Sequence, residues 1–245
     1  MDSISSIEHV AANALPSPIT KQLEGWRLRY AYGVTRRANS ILAEQHQGNL
    51  EDKLKTIENF YAGHNAPSRF QISPASKPSL LDHLLQDQGY QKVSGAIIQT
   101  LSLQTFEPKI DLAAVQLFSK PNDTWYSVYR AVEKASAEKE KVRTWMLEHI
   151  APNATFALVY LDHQPAAVGL GIFENGYTGI FNMATLEAFR GRGAASTILS
   201  ALAKWGKQQG GHTGYLQVAT NNLRAQKVYI NFGFKSLYEY HYLEK

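Results

Sequence analysis

RGRGAASTILSALAKW, residues 190–205, is the stretch on which the reading of this chain turns. Ala195, Ile198, Leu199, Leu202 and Trp205 recur at helical spacing, which predicts a helix from about 192 to Gln209, stopped by Gly210-Gly211. Glycine and arginine therefore stand together where a helix begins. The first N–H groups of a helix lack internal partners and lie at the positive end of its dipole, so such an end attracts phosphate. Gly191 and Gly193 keep the backbone accessible, Ala194 and Ala195 keep the first turn uncrowded, and Arg190 and Arg192 add charge. Each main-chain contact to a phosphate is charge-assisted and contributes about 1.5–3 kcal/mol, so a few together dominate the affinity for a diphosphate.

The charge distribution agrees. Residues 188–238 hold seven of the chain's 25 Lys and Arg and none of its 21 Asp and Glu. A solvated basic face accounts for that bias equally well, so the glycines carry the argument. Gly191-x-Gly193-x-x-Ser196 also has the form of a dinucleotide fingerprint. That fingerprint belongs in a parallel strand–helix–strand unit with an acid about 20 residues on, and here a hairpin precedes it and the segment has no acid. A phosphate loop of the Walker type fails too, because no Gly-Lys-Ser/Thr follows.

Working outward, KASAEKEKVRTWMLEHI reads as a helix ended by Pro152, and TFALVYL and AAVGLGIF read as strands joined at Asp162-His163-Gln164-Pro165. Asn175-Gly176 predicts a tight hairpin into YTGIFNMAT. Beyond the 192–209 helix, YLQVAT is a strand. Ala225, Val228, Tyr229 and Phe232 share one helical face up to Gly233, and FKSLYEYHYLE closes as a strand. The N-terminal half yields GWRLRYA, ANSILA, RFQIS and QKVSGAIIQTLSL as strands, with LEDKLKTIENFYAG and SLLDHLLQDQ as helices. LLQDQGYQKV at 84–93 and YINFGFKSL at 229–237 share the order helix, glycine, aromatic, strand, an internal echo that suggests two copies of one α+β unit. The expected organisation is a domain over 1–106, a linker over 107–123 and a second domain over 124–245.

Arg190-x-x-Gly193-x-Ala195 after FNMAT, followed by Asn222, Ala225, Tyr229, Gly233 and Phe234 in N-x-x-A-x-x-x-Y-x-x-x-G-F order, resembles the GNAT superfamily of acyl-CoA-dependent N-acyltransferases. The resemblance implies an α+β GNAT fold, a mostly antiparallel mixed sheet flanked by helices, in the C-terminal half. A smaller, degenerate GNAT-like domain without a counterpart of RGRGAA, and so without a cofactor, would precede it. It also implies acetyl-CoA as co-substrate, with its diphosphate on Arg190, Gly191, Arg192, Gly193, Ala194 and Ala195. Pantetheine would lie along Met183, Ala184 and Thr185, and Asn222 would help to bind the cofactor. Tyr229 corresponds to the family's general acid, whose ordinary pKa of ~10 keeps it protonated at neutral pH with a proton to give to the departing thiolate. A buried aromatic on an apolar face accounts for Tyr229 structurally, and a helix cap accounts for Asn222.

No residue is assigned as general base. The strand YTGIFNMATL has no carboxylate, Asn182 is a candidate to orient water, and Glu174 and Glu187 read as surface residues. The absence of cysteine excludes a cysteinyl intermediate and thiolate metal sites, so direct attack of an amine in a ternary complex is expected, with no metal. The expected partners are acetyl-CoA and an amine acceptor, not nucleic acid or a membrane, with a homodimer left open. No apolar run approaches the roughly 18 residues of a membrane span, and a cytoplasmic protein is expected. Two other classes stay open at this point: an acyl-CoA sensor without turnover, and a nucleic-acid binder using the basic segment.

Overall fold

The hairpin expected at Asn175-Gly176 is formed, with both residues in the left-handed region at φ 50° and 81°, as a two-residue hairpin turn requires. It joins β8 (Gln164–Glu174) to β9 (Tyr177–Thr185), and β7 (Ala154–Leu161) pairs antiparallel on the far side of β8. These coordinates are a computed structural model that describes residues 4–108, 112, 114–150 and 153–245. After β9 come α6 (Ala194–Gln208), β10 (Thr213–Ala219), α7 (Leu223–Phe232) and β11 (Lys235–Glu244). Helix α6 lies against β7, β8 and β9 and buries Ile198, Leu199 and Leu202 completely, each contributing on the order of 1.5–3 kcal/mol. Gly169 and Gly171 let it approach so closely: a Cβ at Gly169 would lie 2.5 Å from Ile198 and one at Gly171 3.1 Å from Leu202.

The N-terminal half runs α1 (Ile4–Asn13), β1 (Ile19–Leu23), β2 (Trp26–Tyr30), β3 (Ile41–Ala43), α2 (Leu50–Ala62), β4 (Arg69–Ile72), α3 (Leu81–Asp87) and β5 (Gln91–Ser102). Then follow β6 (Val115–Phe118), α4 (Asp123–Val132) and α5 (Ala137–Glu148). Four of these elements, α1, β1, β6 and α4, are additions to the sequence reading. The stretch expected as a linker, 107–123, lies partly outside the described residues, but its described part supplies β6 and the first residue of α4. Pro152, expected to end α5, also lies outside them; the helix stops at Glu148.

Among the described residues eleven strands form one sheet in the order β1-β2-β3-β4-β11-β5-β10-β9-β8-β7-β6. Two parallel pairs, β3–β4 and β9–β10, occupy matching places on either side of the central β11–β5 pair. The segments β3-α2-β4-α3-β5 and β9-α6-β10-α7-β11 repeat one another, and the echoed motifs at 84–93 and 229–237 fall at the same corner of each copy, with Gly89 and Gly233 both at positive φ. Their last strands are exchanged. β5 pairs with β10 of the second copy, and β11 pairs with β4 of the first.

Packing follows the exchange. Leu243 of β11 is buried in the N-terminal core with Trp26, Ile57 and Phe70. Ile97 and Leu101 of β5 pack on the C-terminal cluster around Ile198 and Leu202. Glu8 of α1, buried, ties the halves further by accepting hydrogen bonds from Tyr238 Oη at 2.5 Å and Gln71 Nε2 at 2.7 Å. Burial raises its carboxyl pKa above the usual range, against the opposing effect of those two bonds.

Candidate active site

The site begins where two strands part. β9 and β10 pair in parallel from Tyr177 and Thr213 as far as Ile180 and Leu216, and there the ladder ends. β9 continues along β8 to Thr185, while β10 continues along β5 to Ala219. A wedge opens between them, and the main-chain groups of 181–185 that turn away from β8 face it without a neighbouring strand.

A bulge sits at the apex of the wedge. Val168 is opposite Ala184 and Leu170 is opposite Phe181, so Asn182 and Met183 share Gly169 as partner, and Asn182 takes φ 49°. Trp125 of α4, completely buried, donates its indole N–H to the Gly169 carbonyl at 3.2 Å. Asn122 caps that helix by accepting from the Trp125 amide at 2.9 Å, which fixes where the indole is delivered. Tyr129, one turn on, donates to Asn182 Oδ1 at 3.4 Å, and burial pushes its phenol up to about 12. Nothing in the local sequence 122–132 announced this support.

At the mouth of the wedge lies the start of α6. Gly193 occupies the cap position at φ 84° and Gly191 lies at φ 77°, and a Cβ on either would meet no protein atom within 4 Å. Glycine is thus required by backbone conformation, with open space outside it. No side chain caps the helix, and its first turn has no acid. Arg190 reaches back to the Thr185 carbonyl through Nε at 3.4 Å. Arg192 turns elsewhere, pairing with Asp162 at 2.8 Å across the face of Phe189.

A cavity of about 400 Å³ fills this mouth, lined by Met183, Ala184, Thr185, Arg190, Gly191, Gly193, Ala194, Ala195, Asn222 and Tyr229 together with Arg224. Of the residues picked from sequence only Arg192 is outside it. No carboxylate lines it. Asn222 does serve as a cap, its Oδ1 accepting from the Ala225 amide at 3.1 Å, while also lining the cavity.

Beyond the bulge a second cavity of about 310 Å³ lies between the halves. Val34, Thr35 and Arg37 come from the N-terminal half, and Tyr129, Glu133, Arg143 and Asn182 from the other. Two residues, Met183 and Tyr229, line both cavities, which therefore meet at them. Tyr229 is half-buried, and burial holds its phenol pKa above the ordinary value, partly opposed by the charge of Arg37. Among the described residues no three His, Asp or Glu are gathered as a metal site, and no helix is long and apolar enough to cross a membrane.

The N-terminal half has its own wedge where β3 and β4 part, beside a cavity of about 740 Å³. Its helix start is closed to phosphate: Asn49 accepts from the amides of Glu51 and Asp52 at 2.9 and 3.2 Å, and those two carboxylates occupy the first turn of α2.

A parallel pair splayed at a bulge, with an uncapped glycine-rich helix start at its mouth, defines an acyltransferase cleft of one particular kind. The chain belongs to the GNAT superfamily of N-acetyltransferases. A family model described as "Probable histone acetyltransferase Rv0428c C-terminal" matches residues 2–243. "Uncharacterized N-acetyltransferase YobR" of Bacillus subtilis (strain 168) is 31% identical over 245 residues, covering 99% of this chain and 98% of that protein. Among solved structures, a GCN5-related N-acetyltransferase from Kribbella flavida superposes with TM-score 0.71 at 13% identity over 99% of this chain and 94% of its own. A tandem GNAT protein from the clavulanic acid biosynthesis pathway gives TM-score 0.67 at 13% identity, covering 98% and 87%. GNAT acetyltransferases use acetyl-CoA as co-substrate.

Proposed function

We propose that the protein transfers an acetyl group from acetyl-CoA to a primary amine by direct attack in a ternary complex. The observation that carries this reading is the meeting of two cavities at Met183 and Tyr229. One has the features of a nucleotide thioester's berth, and the other admits a second molecule from the opposite side of the bulge.

In this reading the free amides of Gly191 to Ala195 hold the diphosphate, with Arg190 supplying charge. The exposed edge of β9 at Met183, Ala184 and Thr185 receives the pantetheine amides as an added strand would be received. Arg192, held by Asp162, contributes long-range charge only. A main-chain N–H at the bulge donates to the thioester carbonyl oxygen, where negative charge develops. The amine nitrogen attacks the carbonyl carbon, a C–N bond forms and the C–S bond breaks. Tyr229 gives its phenolic proton to the leaving sulfur and recovers one from solvent, which takes the proton shed by the nitrogen. The products are the N-acetyl amine and CoA thiol. With its pKa raised by burial, the Tyr229 phenol is protonated at neutral pH and has a proton to give, and reprotonation of the phenolate from solvent completes the transfer.

The reading involves no metal, nucleic acid or membrane and places the enzyme in the cytoplasm. We also propose that 1–106 and 124–245 are the two GNAT-like units, interlocked through β5 and β11, and that only the second binds acetyl-CoA. Calorimetric titration with CoA, then CoA thiol release from acetyl-CoA with a panel of amines, tests the proposal. Tight CoA binding with amine-dependent release supports it. Binding without release by any amine replaces it with the sensor reading, and no binding at millimolar CoA removes both.

A further inference from the structure

The second cavity holds a cation that the acetyl transfer does not use. Arg37 stands in the segment Val34–Ser40, which folds over the wedge from the N-terminal half. That segment is pinned: the side chain of Asn39, buried, accepts from the amides of Ala31 at 2.8 Å and Gly33 at 3.0 Å and donates to the Thr35 carbonyl at 2.7 Å. Ser17 Oγ donates to the Ala38 carbonyl at 2.9 Å. Arg37 itself donates through Nη2 to the Gln217 carbonyl at 3.0 Å and through Nε to Tyr240 Oη at 3.3 Å. These partners are neutral. Among the described residues no carboxylate pairs with Arg37, whereas its neighbour Arg36 reaches Glu244.

Arg37 is a half-buried guanidinium with five donors, and its observed hydrogen bonds leave the others available to an anion. The other charged groups lining the cavity do not supply one. Arg143 is engaged by Glu140 and by the Glu133 carbonyl, and Glu133, the one carboxylate on the lining, is exposed. Arg29, also buried, stands beside Arg37 around a small internal gap where Glu8 is the sole acid. Arg37 is therefore the cation of this lining that no carboxylate pairs among the described residues.

We infer that the acceptor amine carries a carboxylate and that Arg37 binds it. Arg37 and Tyr229 line the same cavity, so a carboxylate on Arg37 and an amine near Tyr229 fit within one small molecule, as in an amino acid. Leu15, Pro16, Val34, Met146, Leu147 and Ile150 line the rest of the space and suit an apolar side chain. This inference rests on the acetyl-CoA reading above.

The test uses the full-length protein, acetyl-CoA, and L-leucine, L-methionine and L-phenylalanine, each beside its amide. The amide keeps the amine and side chain and removes the negative charge, and because it also makes the amine less basic, rates are compared per unit of neutral amine. A charge-assisted pair contributes about 1.5–3 kcal/mol, so kcat/KM for the preferred acid should exceed that for its amide by roughly 10- to 150-fold. Arg37→Gln should raise the acceptor KM and bring that ratio near one, Arg37→Lys should retain part of it, and calorimetric acetyl-CoA affinity should stay as in the wild type. If acetyl-CoA binds but the amides match the acids, or none of the three acids is acetylated, the inference is overturned. It is overturned equally if Arg37→Gln keeps the wild-type ratio. Should Arg37→Gln fail to fold, the wild-type comparison of acid with amide decides alone. Failure of acetyl-CoA to bind at all strikes the acetyl-CoA reading instead, a result the calorimetry separates from the others.

Discussion

Replacing Gly193 by alanine separates the conformational from the ligand-binding role of the α6 start. The residue lies at φ 84°, and no protein atom comes within 4 Å of an added Cβ, so the free protein meets no clash. The cost is that of a left-handed L-residue, about 1–2 kcal/mol. For a chain of this length that lowers Tm by roughly 2–8 °C. Relief of the strain rotates the amides at 193–195, and loss of one charge-assisted contact to a diphosphate, about 1.5–3 kcal/mol, weakens CoA binding by roughly 10- to 150-fold. Gly210→Ala is the control: φ is 87°, nothing lies within 4 Å of its Cβ, and it stands at the opposite end of α6. It should lose similar stability and no CoA affinity. Gly193→Asn, which tolerates the left-handed region better, should recover part of the Tm. Differential scanning calorimetry and isothermal titration report the two quantities. Equal loss of CoA affinity in both alanine variants, or none in Gly193→Ala, refutes the argument.

Tyr229→Phe should lower kcat by roughly 10²–10⁴-fold with CoA affinity unchanged. Because burial raises this phenol's pKa and the acid form is the active one, the wild-type rate should show no loss attributable to Tyr229 until pH passes ~10, and the phenylalanine variant should lack that alkaline fall. Arg190→Ala should weaken CoA binding measurably in titrations at low salt. Arg192→Ala, whose exposed pair with Asp162 contributes at most about 1 kcal/mol, should change binding by a smaller factor. Residues 107–245 expressed alone lack β5 and should be insoluble or unfolded by circular dichroism. Co-expression with 1–106 should restore a folded complex, and a soluble, cooperatively melting 107–245 fragment would contradict the exchanged sheet.

The α6 end of the candidate site was legible in sequence because its determinants are local. Helical periodicity located α6, and two glycines marked a backbone conformation that other residues adopt at a cost. The echo around Gly89 and Gly233 was readable for the same reason. Strand exchange was not, since the apolar alternation of QKVSGAIIQTLSL fits a place beside β10 as well as one beside β4. Arg37 could not be found either. It stands 180 positions from the Gln217 carbonyl it binds, and only the pairing of β5 with β10 and β11 brings the two together. Trp125 was missed for a similar reason: DTWYSVYRAV is short, and its indole matters through a carbonyl on β8 that the bulge leaves opposite two residues.

Exchange of β5 and β11 also bears on how the molecule is made. On the ribosome β4 emerges with one edge bare, and the strand that will cover it, β11, is translated after the other ten described strands of the sheet. The nascent N-terminal half must therefore stay unassociated through synthesis of the rest. Loss of 235–244 would uncover β4 and β5 together and turn the remaining chain into an aggregation-prone chaperone client.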